Sequence, residues 1–270
     1  MKYTLLFVLV LATSLLKAQP NCNIYKEDAD CFEACMLLTK ATDMLQGSQQ
    51  QQVSFNKAIA LCPQFHQAYY EKAWAFLKNG RFIEWRSIID QAVELRPQEY
   101  LGYRAVARYQ YLRDYQGALD DFALLDELVN YDLGNTVEGN YHLNIIRALC
   151  YKGLGAVDEA IEVILQQLQQ SDHVLGNYDY IHLGVLYLEA NQTALAVDYL
   201  EKQVAHNPYI ADSFFYLAKA YVQNGEKGKA KTNLKKAKEL YQAGEKRSHF
   251  YNEPMDAVYW RDMEELASML

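Results

Sequence analysis

Apolar residues recur along most of the chain at intervals of three and four positions. In residues 177–208 the positions that carry this pattern are Tyr180, Leu183, Gly184, Tyr187, Ala196 and Leu200. This spacing follows the 3.6-residue turn of an α-helix, and Asn191 offers a turn between two such segments. The pattern predicts two antiparallel helices that approach closely at Gly184 and Ala196. The second helix ends by Pro208, whose backbone nitrogen has no hydrogen to donate.

The same arrangement returns with a period of 34 residues, because units that start at 177 and 211 are that far apart, as are units that start at 32 and 66. A lone helix pair leaves one apolar face in water, so stacked neighbours must cover it. We therefore predict an all-α fold with a loop at 131–140 and six helix pairs, at residues 32–65, 66–98, 99–130, 141–172, 177–210 and 211–242.

Two further segments lie outside these pairs. Residues 20–31 form a short N-terminal segment that contains cysteines. Residues 243–270 are predicted to be a linker followed by a capping helix over 254–270, because helical spacing continues at Met255, Val258, Tyr259, Met263, Leu266 and Leu270.

The first nineteen residues have the pattern of an export signal. Met1-Lys2 gives a basic start, an apolar run extends from Leu5 to Leu16, and the small residue Ala18 follows. The apolar run is about 12 residues long, whereas a membrane-spanning helix needs roughly 20. Residues 1–19 therefore predict a cleaved signal peptide and an exported protein, periplasmic or extracellular. An uncleaved membrane anchor is the alternative.

The repeated positions match a known pattern. In the second unit they are Ala73, Phe76, Gly80, Ile89, Ala92 and Pro97, and in the sixth they are Phe214, Leu217, Ala218, Tyr221, Gly225, Ala230, Leu234 and Ala237. This order of small, aromatic and turn residues over 34 positions resembles the tetratricopeptide repeat family. The resemblance implies a right-handed superhelical solenoid of antiparallel helix pairs. Trp85 departs from the pattern, since a small residue is expected at its position.

Export makes the cysteines candidates for disulfides, which persist outside the cytoplasm. Cys22, Cys31, Cys35 and Cys62 cluster near the mature N-terminus, and four cysteines allow three pairings. In the tetratricopeptide geometry the start of a unit's first helix lies near the end of its second, which implies Cys35 with Cys62 and Cys22 with Cys31. Cys150 is predicted to be a buried free thiol. Zinc is disfavoured, because the usual ligand spacings and a histidine pair are missing.

The resemblance also implies a binding surface. In the family, the second, fifth, ninth and twelfth positions of each unit line a concave groove, and those we assign to a partner are Tyr70, Trp74, Leu77, Tyr100, Tyr103, Ile145, Leu149, Tyr178, Ile181, Val185, Leu188 and Phe215. The same positions also hold Lys152 and Asp212. An aromatic and aliphatic strip of this kind predicts a protein partner that binds as an amphipathic helix or an extended apolar segment. The alternative is that these side chains are buried against neighbouring first helices.

The net charge of the chain bears on which class of partner it binds. The formal net charge is −8, which argues against nucleic acid because phosphate binding needs an excess of basic residues. Basic residues are nevertheless dense between Lys219 and Arg247. That stretch is interpreted as a solvated helix face, and a docking surface for an acidic partner or for lipid headgroups is the alternative.

The sequence contains no recognisable catalytic motif. Its six histidines form no metal-binding pair, and no nucleophile elbow is present. We therefore predict a non-enzymatic, exported scaffold for protein–protein interaction that needs no cofactor or metal and has no membrane segment once the signal is removed. The alternative is a carrier of a small ligand or lipid in the same groove, which requires a closed cavity of roughly 300–1,000 Å³.

Overall fold

The computed structural model describes residues 20–270, so the predicted signal peptide lies outside the described part of the chain. Within that part the secondary structure is helical, and the β structure is a single bridge between Asn135 and His142. A short 3₁₀ helix, Cys22–Tyr25, precedes thirteen α-helices. They are α1 (Ala29–Ala41), α2 (Gln49–Leu61), α3 (His66–Lys78), α4 (Phe82–Leu95), α5 (Pro97–Ala107), α6 (Tyr115–Leu128), α7 (Leu143–Gly153), α8 (Val157–Leu168), α9 (Asp179–Glu189), α10 (Thr193–His206), α11 (Ala211–Gln223), α12 (Lys227–Gln242) and α13 (Trp260–Ser268).

Short turns join the helices into antiparallel pairs. The turn between α9 and α10 passes through Asn191 with φ 57°, and the turn between α11 and α12 passes through Gly225 with φ 77°. Glycine and asparagine are the residues that adopt this left-handed conformation at helix ends most readily. Other helices begin at side chains that accept a backbone hydrogen bond, such as Asp28 before α1 and Ser48 before α2. The predicted all-α architecture of helix pairs is confirmed.

The chain divides into two compact units, residues 1–72 and 73–270, and the boundary falls inside α3. We call them unit 1 and unit 2. The described part of unit 1 is built on α1 and α2, whose apolar faces enclose a core that includes Leu38, Phe55 and Phe65. In unit 2 the consecutive helices from α4 to α13 pack on each other. The first helices of successive pairs, α5, α7, α9 and α11, also contact one another in that order.

Two disulfides fix the N-terminal helices of unit 1, but not in the predicted pairing. Cys22 is joined to Cys35, with Cα atoms 5.5 Å apart, and Cys31 is joined to Cys62, with Cα atoms 4.8 Å apart. The prediction failed because α1 begins at Ala29, three residues before the expected start of the first unit. Cys31 therefore lies in the first turn of α1, level with the end of the antiparallel α2 at Cys62. Cys35 lies one turn further and meets the N-terminal segment instead.

Unit 2 shows why small residues repeat in the helix pairs. A β-carbon placed on Gly184 of α9 would lie 2.5 Å from Cγ of Leu200 on α10, a separation that atoms cannot adopt without a shift. Leu200 itself is fully buried. Tyr187 stacks on Tyr199 of α10, with ring centroids 5.5 Å apart. The close approach predicted from the spacing is present at this pair.

The end of the chain differs from the prediction. The last helix, α13, begins at Trp260 and packs on α12, whereas residues 254–259 are not helical. Between α12 and α13 the chain crosses unit 2 away from both helices. Met255 packs in the cluster formed by α5, α6 and α7, and Val258 is buried in the cluster of the later helices. We call residues 247–256 the strap. No helix within residues 20–270 has the length and apolar character needed to span a bilayer.

Peptide mapping tests the disulfide pairing. A digest of the unreduced protein is expected to contain Cys22 linked to Cys35 and Cys31 linked to Cys62. Replacing both Cys31 and Cys62 by serine should lower the free energy of unfolding by about 3–4 kcal/mol, because that bond closes a 31-residue separation in the unfolded chain. A peptide in which Cys35 is linked to Cys62 would contradict the structure.

Substitution at Gly184 tests the close approach of α9 and α10. Gly184→Ala forces the new methyl group against Leu200, so we expect a loss of about 1–3 kcal/mol in chemical denaturation. Gly228→Ala in α12 is the matched control, since a β-carbon there meets no atom within 4 Å, and it should be neutral or stabilising by about 0.5–1 kcal/mol. Equal effects at the two glycines would refute the steric explanation.

Candidate functional site

The structure places the twelve predicted groove residues in three environments. Eight are buried in the described structure: Leu77, Tyr100, Ile145, Leu149, Ile181, Val185, Leu188 and Phe215. Tyr70 in unit 1 and Trp74 and Tyr178 in unit 2 are half-buried, and Tyr103 is 39 % exposed. The first-helix face of α7, α9 and α11 is therefore largely closed. Whether any of the twelve binds a partner stays a prediction.

The strap covers part of this face. Arg247 is 4 % exposed and pairs with Asp212 in the first turn of α11, Nε to Oδ1, at 3.0 Å. At the other end of the strap, Lys152 of α7 donates to Asp256 Oδ2 at 2.8 Å. The Tyr216 hydroxyl of α11 donates to the Asp256 carbonyl at 3.1 Å. The interpretation of Arg247 as part of a solvated basic face is therefore wrong, because its guanidinium is buried on a carboxylate.

An open pocket remains at the other end of unit 2, and we call it the aromatic pocket. It has a volume of about 160 Å³ and lies between α3, α5 and the loop that precedes α7. Its aromatic lining residues are Trp74, Tyr103, Tyr111 and Tyr131, and its carboxylates are Glu99 and Glu138. The lining within the described residues includes neither lysine nor arginine. The aromatic pocket therefore combines apolar surface with nearby carboxylates.

Hydrogen bonds fix the loop wall of the aromatic pocket. The Thr136 amide donates to the Tyr141 carbonyl at 2.8 Å, and the Leu143 amide donates to the Gly134 carbonyl at 2.9 Å. His142 connects the loop to α7, because its Nδ1 accepts from the Asn144 amide at 3.1 Å while its Nε2 lies 3.0 Å from Asp132. The hydrogen bond from His142 holds the pKa of Asp132 below its usual range. The loop wall is therefore held in a defined conformation by hydrogen bonds.

Tyr111 is a neutral phenol at physiological pH. Burial raises its pKa to about 12, with Glu138 and Tyr251 adding to the effect because a phenolate would be repelled by their negative charge. A neutral hydroxyl can both donate and accept a hydrogen bond. Tyr111 therefore suits recognition of a polar group at the edge of an apolar contact.

A buried histidine lies in α9, beside the predicted groove positions. His182 is 1 % exposed, and neither ring nitrogen has a hydrogen-bond partner within the described residues. Its ring centroid is 5.6 Å from that of Tyr141. Burial lowers the pKa of His182 well below 6.5, and the positive charges of Arg247 and Lys152 add to this effect. His182 is thus neutral in the folded protein.

The described residues contain no group of three or more His, Cys, Asp or Glu side chains placed to hold a metal ion. Cys150 is buried, and burial raises the pKa of its thiol to about 12, so it is not a ready nucleophile. The arrangement supports binding through shape, aromatic contact and charge.

Comparisons with known proteins agree with this fold. The family model described as tetratricopeptide repeat matches residues 66–99 and 211–243. No curated protein matches the chain. Two segments of the chain thus match the tetratricopeptide-repeat model, one beginning at α3 and one beginning at α11.

Solved structures give the same fold at low sequence identity. PilW, described as a widely conserved type IV pilus biogenesis factor, is 15% identical with a TM-score of 0.63, over 78% of this chain and 94% of that one. PilF from Pseudomonas aeruginosa is 14% identical with a TM-score of 0.59, over 83% of this chain and 95% of that one. YrrB, described as a tetratricopeptide protein with an unusual peptide-binding site, is 16% identical with a TM-score of 0.52, over 70% and 92%. At such identities the likeness concerns the fold alone.

Sequence reasoning found parts of these sites and missed others. Trp74 and Tyr103 line the aromatic pocket, and Asp212 and Lys152, at groove positions, contact the strap. The role of Arg247 was missed, because its partner is 35 residues away and no local pattern reports it. The loop wall was also missed, since residues 131–140 were assigned only as a connection.

The buried histidine predicts a pH dependence of stability. Because the folded pKa of His182 lies below its unfolded value of 6.5, stability is fully present above pH 6.5 and is lost as the pH falls below it. His182→Leu lacks this loss and removes unpartnered buried nitrogens, so it should stabilise the protein by about 1–3 kcal/mol near neutral pH.

Chemical denaturation of both proteins at several pH values measures the effect. Between pH 7.5 and 5.5 the advantage of the leucine variant should grow by about 1.4 kcal/mol, the value for one group that binds a proton only when unfolded. An advantage that does not change with pH would show that His182 takes up a proton in the folded state.

Proposed function

We propose that this protein is an exported, non-enzymatic scaffold that binds another protein through the aromatic pocket. The single observation that carries the proposal is the pocket itself, an opening in a first-helix face whose other predicted groove positions are mostly buried. Tyr103 and Trp74 present aromatic surface there, and aromatic residues anchor protein interfaces more often than other residue types. A partner segment with an apolar side chain beside a basic residue would contact both the rings and the carboxylates of the pocket.

The size of the pocket favours a protein partner over a small-ligand carrier. A volume of about 160 Å³ is below the roughly 300–1,000 Å³ that enclosed ligand sites have. One or two side chains of a partner fill such a space, whereas a lipid chain does not fit. The proposal is also supported by YrrB, a protein of similar fold whose description names a peptide-binding site. The division of residues 32–242 into six repeats belongs to the same proposal.

Export is supported by two independent features. Residues 1–19 have the composition of a cleavable signal, with a basic start and an apolar run. Two disulfides link the four cysteines of unit 1, and such bonds persist in oxidising compartments outside the cytoplasm. PilW, whose description names a pilus biogenesis factor, is a protein of similar fold. We therefore propose a periplasmic or extracellular location.

Site-specific photo-crosslinking tests the proposal. A photoreactive phenylalanine analogue at Tyr103, introduced in the native host, should give a discrete crosslinked protein. The same analogue at Ile83 of α4, which is 86 % exposed, is the matched control and should give none. Replacing both Trp74 and Tyr103 by alanine should weaken binding of the crosslinked partner at least tenfold, the loss expected when interface anchors are removed.

Two outcomes would refute the proposed site. Equal crosslinking from Ile83 and Tyr103 would show nonspecific contact, and unchanged affinity of the double alanine variant would place the partner elsewhere. Circular dichroism of that variant must match the unmodified protein, so that lost binding is not lost folding.

A further inference from the structure

The strap is held against unit 2 by contacts of the kind that hold a bound peptide. Its central contact is between Arg247 and Asp212, whose side chains are 2 % and 1 % exposed. Asp212 accepts two hydrogen bonds from the strap, one from the Arg247 Nε at 3.0 Å and one from the Arg247 backbone amide at 3.1 Å. One carboxylate thus recognises both the side chain and the main chain of a single residue.

Helix side chains also bind the main chain of the strap. Tyr216 of α11 donates to the carbonyl of Asp256. Arg113, which follows a π-helical turn at Arg108–Leu112 after α5, donates to the carbonyl of Glu253. Bonds from receptor side chains to ligand carbonyls do not depend on the ligand's sequence. The surface therefore combines one specific contact at Arg247 with general recognition of an extended backbone.

The strap does not satisfy this surface completely. A cavity of about 50 Å³ remains beside the strap, lined by Arg247, Asn252 and Thr136 among other residues. The Nη1 of Arg247, the Nδ2 of Asn252 and the Oγ1 of Thr136 are buried without a hydrogen-bond partner in the described structure. Unpartnered buried polar atoms each cost free energy. A segment that placed a polar group in this cavity would bind better than the strap does.

The middle of the strap is also weakly attached. Residues 247–256 form no helix or strand, Phe250 is completely exposed, and Tyr251 is 53 % exposed. The side-chain contacts of this part with the helices include a ring contact of His249 with Tyr111 and a contact of Tyr251 with the Lys78 ammonium. Segments with few buried contacts open locally at a smaller cost than helices of the core.

We propose that the strap is an exchangeable internal ligand, and that the surface beneath it binds an extended, arginine-bearing segment of another protein in its place. The arginine of that segment pairs with Asp212, and its carbonyls accept from Tyr216 and Arg113. The contacts that hold the arginine and the main chain, at Asp212 and Tyr216, belong to α11 and do not line the aromatic pocket, although Thr136 lines both cavities. Variants at Asp212 or Arg247 therefore test this surface, and variants at Trp74 and Tyr103 test the aromatic pocket.

Because the strap is part of the same chain, a partner segment must compete with it for the surface. A tethered ligand acts at an effective concentration on the order of millimolar. If the strap sequence itself has a Kd on the order of micromolar for the uncovered surface, a free segment would bind the intact protein roughly a thousandfold more weakly than it binds the uncovered surface. The strap thus rejects weak sequences and admits a segment that also fills the cavity.

Rescue of a variant by peptide tests the proposal. Arg247→Ala removes the guanidinium and leaves Asp212 buried and unpaired, which lowers the melting temperature. The probe is a synthetic peptide with the sequence of residues 246–257. At about a hundredfold excess over its Kd it should raise the melting temperature of this variant by roughly 5–10 °C. The same peptide with alanine in place of its arginine should give no rise.

Arg261→Ala is the matched control variant, because the Arg261 side chain on α13 is 85 % exposed and pairs with Glu265 one turn away. Neither peptide should change its melting temperature. Equal rescue of Arg247→Ala by both peptides, or none by either, would overturn the proposal.

A second measurement covers the case in which Arg247→Ala does not fold. In the unmodified protein, backbone amides of residues 248–253 should exchange hydrogen with solvent at least tenfold faster than those of α11, and an excess of the arginine peptide should accelerate them further. Strap amides that exchange only as fast as the core of α11, with or without peptide, would show a permanent structural element.

Discussion

Every helix pair in this protein has an apolar face that it cannot bury by itself, and the rest of the structure follows from how that face is covered. Within a pair, Gly184 lets α9 lie directly against Leu200 of α10. Between pairs, the first helices contact one another, so residues such as Ile145 and Ile181 are fully buried. In unit 2 the remaining face is covered by the chain's own C-terminal segment. The open surface is therefore smaller than an unfilled groove would provide.

Packing the strap against unit 2 buries a charged side chain, and an oppositely charged side chain is buried beside it. The guanidinium of Arg247 and the carboxylate of Asp212 are both almost inaccessible. An unpaired charge in that position would be strongly unfavourable, whereas a hydrogen-bonded pair is tolerated and fixes one register of the strap. His182 nearby is buried as a neutral ring. The main effect of the buried ion pair is therefore to fix the position of the strap, and its contribution to stability is secondary.

Much of the fold could be predicted from the sequence, because repeat packing is encoded locally. The periodic apolar residues predicted the paired helices, and the small residue at Gly184 marks the close contact. What failed depended on distant partners. The disulfide pairing depended on the start of α1 at Ala29. Met255 and Val258 have helical spacing although they lie in the non-helical segment before α13. Arg247 looked like one more surface cation, because nothing near it in sequence indicates Asp212.

The central claim is that the strap and the neighbouring helices close the face of α7, α9 and α11 and leave the aromatic pocket open. Thiol labelling of single-cysteine variants measures this most directly, since Cys150 is buried and the other four cysteines are in disulfides. Under native conditions Tyr103→Cys should react with a soluble maleimide at about the rate of a free thiol in solution. Val185→Cys should react at least a hundredfold more slowly. Equal rates at the two positions would show an open groove along α9 and contradict this account.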